Sequence, residues 1–271
     1  MLNKVPNFWA YSLIVLVFIL LALLFFLLIG PINWQHTKSA DFINDVQIDG
    51  FSDSVYSSVM LDNLAEARPQ TGLSKAIVVY EALVEGGFTR LMAILSSDDL
   101  PDKIGPIRSA RPYFIDWAND WQGSYWHAGG SPQALETLRS QSNSFIDVNE
   151  ISYQGIYFYR DNRFNNPHNL FTSSDLLSSA LEKYKIKKGV NFPWTLKKDL
   201  IKSSRPTSDK FIHLPYPQST NDVWWYYNNE DNNYYRYINE EQQFYIDGQP
   251  ITAKNVVVLI VNTHLIDEER L

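Results

Sequence analysis

The chain has no cysteine among its 271 residues. That excludes disulfides, thiolate metal sites, a cysteine nucleophile and a lipid-modified N-terminal cysteine. Histidine is sparse as well. The five histidines are widely spaced, and none forms a His-x-His or His-Glu-x-x-His unit, so neither a metal nor a cofactor is expected. Positive charge is scattered, and the net charge of −7 argues against gripping a nucleic-acid backbone, which removes nucleic acid from the expected partners. What remains is a chain long enough for one large or two smaller domains. Its aromatic share is 14%.

One long uncharged apolar run stands at the N-terminus, Ala10 to Gly30, where Ser12 is the single aliphatic hydroxyl residue. At about 1.5 Å per residue a helix of that length covers about 30 Å, the thickness of a bilayer's hydrocarbon core. Trp9, Tyr11 and Trp34 bracket it as interfacial aromatics do. No small-x-small cleavage site follows Gly30, so an uncleaved signal anchor is expected over residues 10–30, with the lipid bilayer as partner. Lys4 before the run and Lys38, Asp41, Asp45 and Asp49 after it place residues 1–9 in the cytoplasm and the remainder outside, a single-pass cell-membrane arrangement. Residues 31–50 then read as a stalk.

Beyond the stalk, strands are expected over Val55 to Leu61, around Ile77 to Tyr80 and over Thr89 to Leu95, the last two joined by a Gly86-Gly87 turn. Such a hairpin brings Glu81 or Glu85 near Arg90. Phe114, Trp117, Ala118 and Trp121 recur at helical spacing after Pro112, which itself favours an extended Arg111. Tyr125 to Ala128 suggests a strand, and Ser131-Pro132 caps and opens a helix through Arg139. Further on, Gly155 to Arg160 is an aromatic strand candidate, and Thr172 with Asp175 is read as the start of a helix to Tyr184. Strands are expected at Phe211 to Leu214, Val223 to Tyr227, Tyr234 to Ile238 and Gln243 to Ile246. Lys254 to Asn262 carries the clearest strand pattern of all.

Four stretches occur together in order: Leu61-Asp-Asn-Leu-Ala-Glu-Ala-Arg-Pro-Gln-Thr-Gly-Leu-Ser-Lys-Ala, Tyr80-Glu-Ala-Leu-Val-Glu-Gly-Gly-Phe-Thr-Arg, Lys103-Ile-Gly-Pro-Ile-Arg-Ser-Ala-Arg-Pro-Tyr and Gly129-Gly-Ser-Pro-Gln-Ala. With Gly155-Ile-Tyr-Phe-Tyr-Arg-Asp and Pro167-His-Asn-Leu-Phe-Thr-Ser, they resemble the YerB-like bacterial family, also called the DUF3048 family. The resemblance implies an exported, membrane-attached protein of uncharacterised function. It also implies an α+β fold of layered mixed sheets and helices, here preceded by one transmembrane helix. The layout it suggests is a YerB-like N-terminal α+β domain over 51–190 and a β-rich C-terminal domain over 191–271. Family C-terminal domains continue past the equivalent of Leu271, so the second domain is expected to be incomplete.

The chemistry is concentrated between Arg68 and Pro132. Arg68, Arg90, Arg108 and Arg111 sit at junctions between turns and elements, where a rigid guanidinium fork suits carboxylate or phosphate. His127 ends a strand just before a glycine turn and a helix start at Ser131, whose free amides also suit an anion. These six are the candidate ligand-binding residues. His127, His168, Glu81 and Glu85 are the candidates for acid–base chemistry. Three readings follow: a tethered extracytoplasmic module binding an anionic envelope ligand or a protein partner, an envelope hydrolase using a His/carboxylate pair, and a structural component with an internal Arg/Glu network. The bland reading of each arginine is that it pairs with Glu81, Glu85 or Asp116 and fastens loops.

Overall fold

Contiguous apolar runs, Val59 to Leu61 and Leu91 to Leu95, lie in strands that are buried on both faces and central to the first sheet. The computed structural model describes residues 54–140, 143–186, 194, 197–207, 210–218 and 221–262. These belong to one compact unit, Val46–Leu271. Strand β1 (Tyr56–Asp62) is buried throughout, as is β3 (Thr89–Ser96). They pair antiparallel, with Asp62 opposite Arg90. Strand β2 (Ala76–Leu83) forms the expected hairpin with β3 across a 3-10 turn at Glu85–Gly87.

Helix α1 (Pro112–Trp121) begins where Pro112 requires it, with Arg111 extended at φ −135°, ψ 153°. Phe114, Ile115, Ala118 and Trp121 are its buried residues, and each large apolar side chain so buried contributes on the order of 1.5–3 kcal/mol. Strand β4 (Gly123–His127) follows, then α2 (Pro132–Ser140), β5 (Phe145–Asn149) and the short α3 (Glu150–Tyr153). The sheet order is β2-β3-β1-β4-β5, with β1, β4 and β5 mutually parallel. Gly123 has φ +66°, and a Cβ there would lie 2.0 Å from the Tyr56 carbonyl oxygen. Only glycine lets β4 start that close to β1.

Two cores result, one on each face of this sheet. Tyr56, Met60, Met92, Ile94 and Tyr125 pack against α1 and α2. Val59, Leu61, Leu91, Ala93 and Trp126 pack with Tyr157, Phe158 and α4 (Ser174–Lys183). A two-stranded ribbon, β6 (Tyr159–Arg160) with β7 (Leu170–Phe171), carries the loop that contains His168. The aromatic run from Gly155 thus contributes only its last two residues to a strand. At α4 the cap is Ser173 rather than Thr172: the Ser173 side chain accepts from the Leu176 amide, while the Thr172 hydroxyl donates to the Tyr157 carbonyl.

The C-terminal half forms a second antiparallel sheet. It contains β8 (Phe211–Pro215), β9 (Asp222–Asn228), β10 (Asn233–Ile238), β11 (Glu241–Gln242) and β12 (Thr252–Ala253). Its order is β11-β10-β9-β8, with β12 on β10. Two expected strands are corrected here. The stretch expected as a strand from Gln243 to Ile246 follows β11 without being one. The described part of the run from Lys254 has no strand partner, and Ile260 is 98% exposed. β-propensity reflects fit to a neighbouring strand, and none of the described strands lies beside this run.

The transmembrane helix attached to the expected fold class is also corrected. Among the described residues no helix is long and apolar enough to cross a membrane. The longest, α1 and α4, have ten residues each. They cover about 15 Å, half a hydrocarbon core, and each carries a polar face. Residues 1–53, which hold the expected cytoplasmic segment, the anchor over 10–30 and the stalk, lie outside the described residues. The fold class is therefore α+β with mixed sheets and helices, with no membrane-crossing helix among the described residues. The bilayer partner and the single-pass membrane placement are corrected with it: no helix among the described residues supports them.

Candidate functional site

Because β1, β4 and β5 run parallel, their last residues, Asp62, His127 and Asn149, share one edge of the first sheet. The β2–β3 turn with Glu85 and the first residues of β3 reach the same edge from the antiparallel side. The segment from Ile104 to Ala110 crosses it: the Arg108 amide donates to the Met60 carbonyl, and the Ala128 amide donates to the Arg108 carbonyl. Helices α1 and α2 both start here, linked by the Ser131 amide donating to Ala110. The carboxyl edge of parallel strands is where open α/β sheets place ligands.

Asp62 organises this edge. Its side chain is 4% exposed, and every contact it makes is with a donor. Oδ1 accepts from the Leu64 amide at 3.0 Å. Oδ2 receives His168 Nδ1 at 2.7 Å and faces Arg108 Nε at 2.9 Å. The Arg108 contact is an ion pair off the hydrogen-bond line, since Nε makes no hydrogen bond. His168 and Arg108 are thus held against one oxygen, with side chains 13% and 22% exposed. Among the described residues, neither His168 Nε2 nor the Arg108 Nη atoms have a partner. Arg90 lies beside them, 9% exposed, and donates from Nη1 to the Ser109 carbonyl at 2.8 Å. No described carboxylate lies within ion-pair distance of it. Burial, with Arg111 close by, lowers its pKa to about 10.

The other candidates are committed elsewhere. Arg111 grips both carboxylate oxygens of Glu85 through Nε and Nη2, and its Nη1 donates to the Ala110 carbonyl. Burial pushes the Glu85 carboxyl up, but hydrogen bonding and charge from Arg111 outweigh it and leave the group below its ordinary value. His127 is fully buried. Its Nδ1 lies 2.6 Å from the Gly129 carbonyl oxygen and its Nε2 lies 2.6 Å from Asp147 Oδ1. The Ser131 hydroxyl accepts from the Ala134 amide at 3.2 Å, as a helix cap does.

Glu81 and Arg68 belong to a separate buried network on the opposite face of the sheet. Arg236 of β10 binds Glu81 bidentately, Nη1 to Oε2 at 2.8 Å and Nη2 to Oε1 at 3.1 Å. Asn63 and Thr89 also donate to Glu81 Oε1. Arg68 Nη2 donates to the Asn63 carbonyl and to Asn221 Oδ1, and Asn221 donates to Thr89. Burial, with Arg236 close by, lowers the Arg68 pKa to about 10. Sequence reasoning missed Asp62, Asp147, Asn221 and Arg236. An acid directly after the apolar run Val59 to Leu61 was the available signal for Asp62; nothing local marked Arg236. Among the described residues no group of three or more His, Asp or Glu is arranged to hold a metal ion.

The fold and its edge define a layered α+β domain whose chemistry gathers where parallel strands end. The chain belongs to the DUF3048 family. Residues 49–187 match the family described as "Protein of unknown function (DUF3048) N-terminal domain", and residues 212–270 match the corresponding "C-terminal domain". It is similar to the protein YerB of Bacillus subtilis (strain 168), 32% identical over 220 residues, which cover 78% of this chain and 64% of that protein. The match thus spans just under two thirds of the relative's length. A crystal structure of the YerB protein from Bacillus subtilis superposes with a TM-score of 0.67 at 29% identity, covering 81% of this chain and 74% of that one.

Proposed function

We propose that the carboxyl edge of the first sheet is a binding site for a small oxyanion, with Arg108 and His168 as the ligand-facing pair. The observation that carries this reading is the arrangement around Asp62 Oδ2. One buried carboxylate oxygen orients both side chains, and their outer nitrogens have no partner among the described residues. An arginine fixed through Nε still presents two donors in a plane, the geometry that suits carboxylate or phosphate. Arg90 adds buried positive charge with no described carboxylate within ion-pair distance, Glu85 and Asp62 acting on it only at longer range, and such a buried cation gains from an arriving anion.

Of the six residues expected to bind ligand, this reading keeps Arg90 and Arg108. Arg68, Arg111, His127 and Ser131 become positioning or structural groups, and His168 joins from the acid–base candidates. The Asp62–His168 pair has an orienting acid and a histidine with one open nitrogen, but no serine or threonine hydroxyl is hydrogen-bonded to that histidine among the described residues. Binding is therefore the better-supported reading.

The test is calorimetric titration of the full chain with inorganic phosphate and with short carboxylates, beside Arg108→Ala. Binding that weakens at least about tenfold in the variant is expected, the size of one lost charge-assisted contact. Equal binding by both proteins would place the anion elsewhere.

A further inference from the structure

We infer that the ligand of this edge is an oxyanion that also carries an O–H group, such as hydrogen phosphate or a hydroxy acid, selected by His168 Nε2. The inference rests on the anion-binding reading above and adds the chemistry of the group that is recognised. Asp62 is acceptor-only when ionised, and its Oδ2 lies 2.7 Å from His168 Nδ1. That contact requires the proton on Nδ1, since two acceptors cannot share a hydrogen bond without one. The Leu64 amide on Oδ1 and the Arg108 guanidinium at Oδ2 complete the set of donors around this carboxylate.

In the neutral imidazole the second nitrogen, Nε2, is then a hydrogen-bond acceptor. It has no donor among the described residues, and the ring is held in place from behind. A ligand bound beside it meets two opposite demands within one small site. Arg108, through its Nη atoms, offers donors and wants oxygen lone pairs. His168 Nε2 offers a lone pair and wants a proton. A fully deprotonated tetrahedral anion meets the first demand and sets lone pair against lone pair at the second. Hydrogen phosphate meets both. A carboxylate with a neighbouring hydroxyl does so too, its carboxylate on the guanidinium and its hydroxyl donating to Nε2. Sites built to accept a ligand hydroxyl discriminate strongly against analogues that lack it, because the acceptor is then desolvated without a partner.

Two ligand pairs isolate that single proton. Sulfate and hydrogen phosphate share shape and charge near pH 8, where an ordinary imidazole is neutral, and differ in the O–H. Acetate and glycolate differ in the same way. Titration of the full chain with all four at matched ionic strength is expected to show phosphate at least about tenfold tighter than sulfate, or glycolate at least about tenfold tighter than acetate. Which pair responds tells phosphate from carboxylate. His168→Phe is expected to shrink the preference to about twofold or less while Arg108 still holds the anion weakly. Equal affinity within both pairs, or a preference for sulfate and acetate, overturns the inference and leaves the anion site standing. Failure of all four to bind overturns the anion site itself.

Discussion

Two ionic clusters flank the same strands, and they differ in how completely the protein satisfies them. On one face, Glu81 holds Arg236 in a bidentate pair, and Asn63, Thr89, Asn221 and Arg68 close the remaining valences. That network ties β2 of the first sheet to β10 of the second. At the carboxyl edge, Asp62 is equally buried and equally well supplied with donors, yet the donors themselves are left half-used. Arg108 and His168 each spend one nitrogen on Asp62, and their outer nitrogens have no partner among the described residues. The same residue types thus serve two purposes, and saturation separates them. A filled network rigidifies, whereas an unfilled one at the edge of a parallel sheet is where a ligand would complete the count.

The comparison breaks first at Arg236. Replacing it with methionine leaves Glu81 buried without its bidentate partner, and a loss of about 3–5 kcal/mol is expected in urea denaturation. A change below about 1 kcal/mol would mean that the filled network is not a stabilising one. Arg90→Met is the mirror experiment. It removes a buried guanidinium that has no described carboxylate within ion-pair distance, so stability is expected to stay within about 1 kcal/mol of the parent while anion affinity falls several-fold. A destabilisation as large as that of Arg236→Met would show the two clusters to be alike.

The smallest effect is expected at Glu85. Its folded value sits below the ordinary glutamate value because Arg111 more than offsets burial. The stability it contributes is present above the ordinary value and is lost as pH falls through the lowered folded one. Glu85→Gln should therefore flatten the acid side of a stability–pH curve, by about 1 kcal/mol or less for a pair this open to solvent. An unchanged acid limb would remove the Arg111 pair from the account.

Much of the first sheet was legible because its information is local. Runs of apolar and β-forming residues marked β1 to β3, Pro112 placed Arg111 in an extended backbone, and Ser131-Pro132 opened a helix where short-range chemistry requires it. The run from Lys254 carried an equally strong local pattern and still formed no strand among the described residues, because a strand is defined by its neighbour. The anchor over 10–30 was read from the length, apolarity and flanking aromatics of a run that lies outside the described residues, and no described helix supports a membrane crossing.

Residue type and turn position are local properties, so the α+β class and the placing of arginines and histidines beside a few turns could be read from the chain alone. Only the tertiary structure decided which of those groups were spent. Asp62 meets His168 across 106 positions of chain, and Arg236 meets Glu81 across 155. Hydrogen-bond valence is settled by whichever partner arrives through space, and at those separations the chain order carries no record of it.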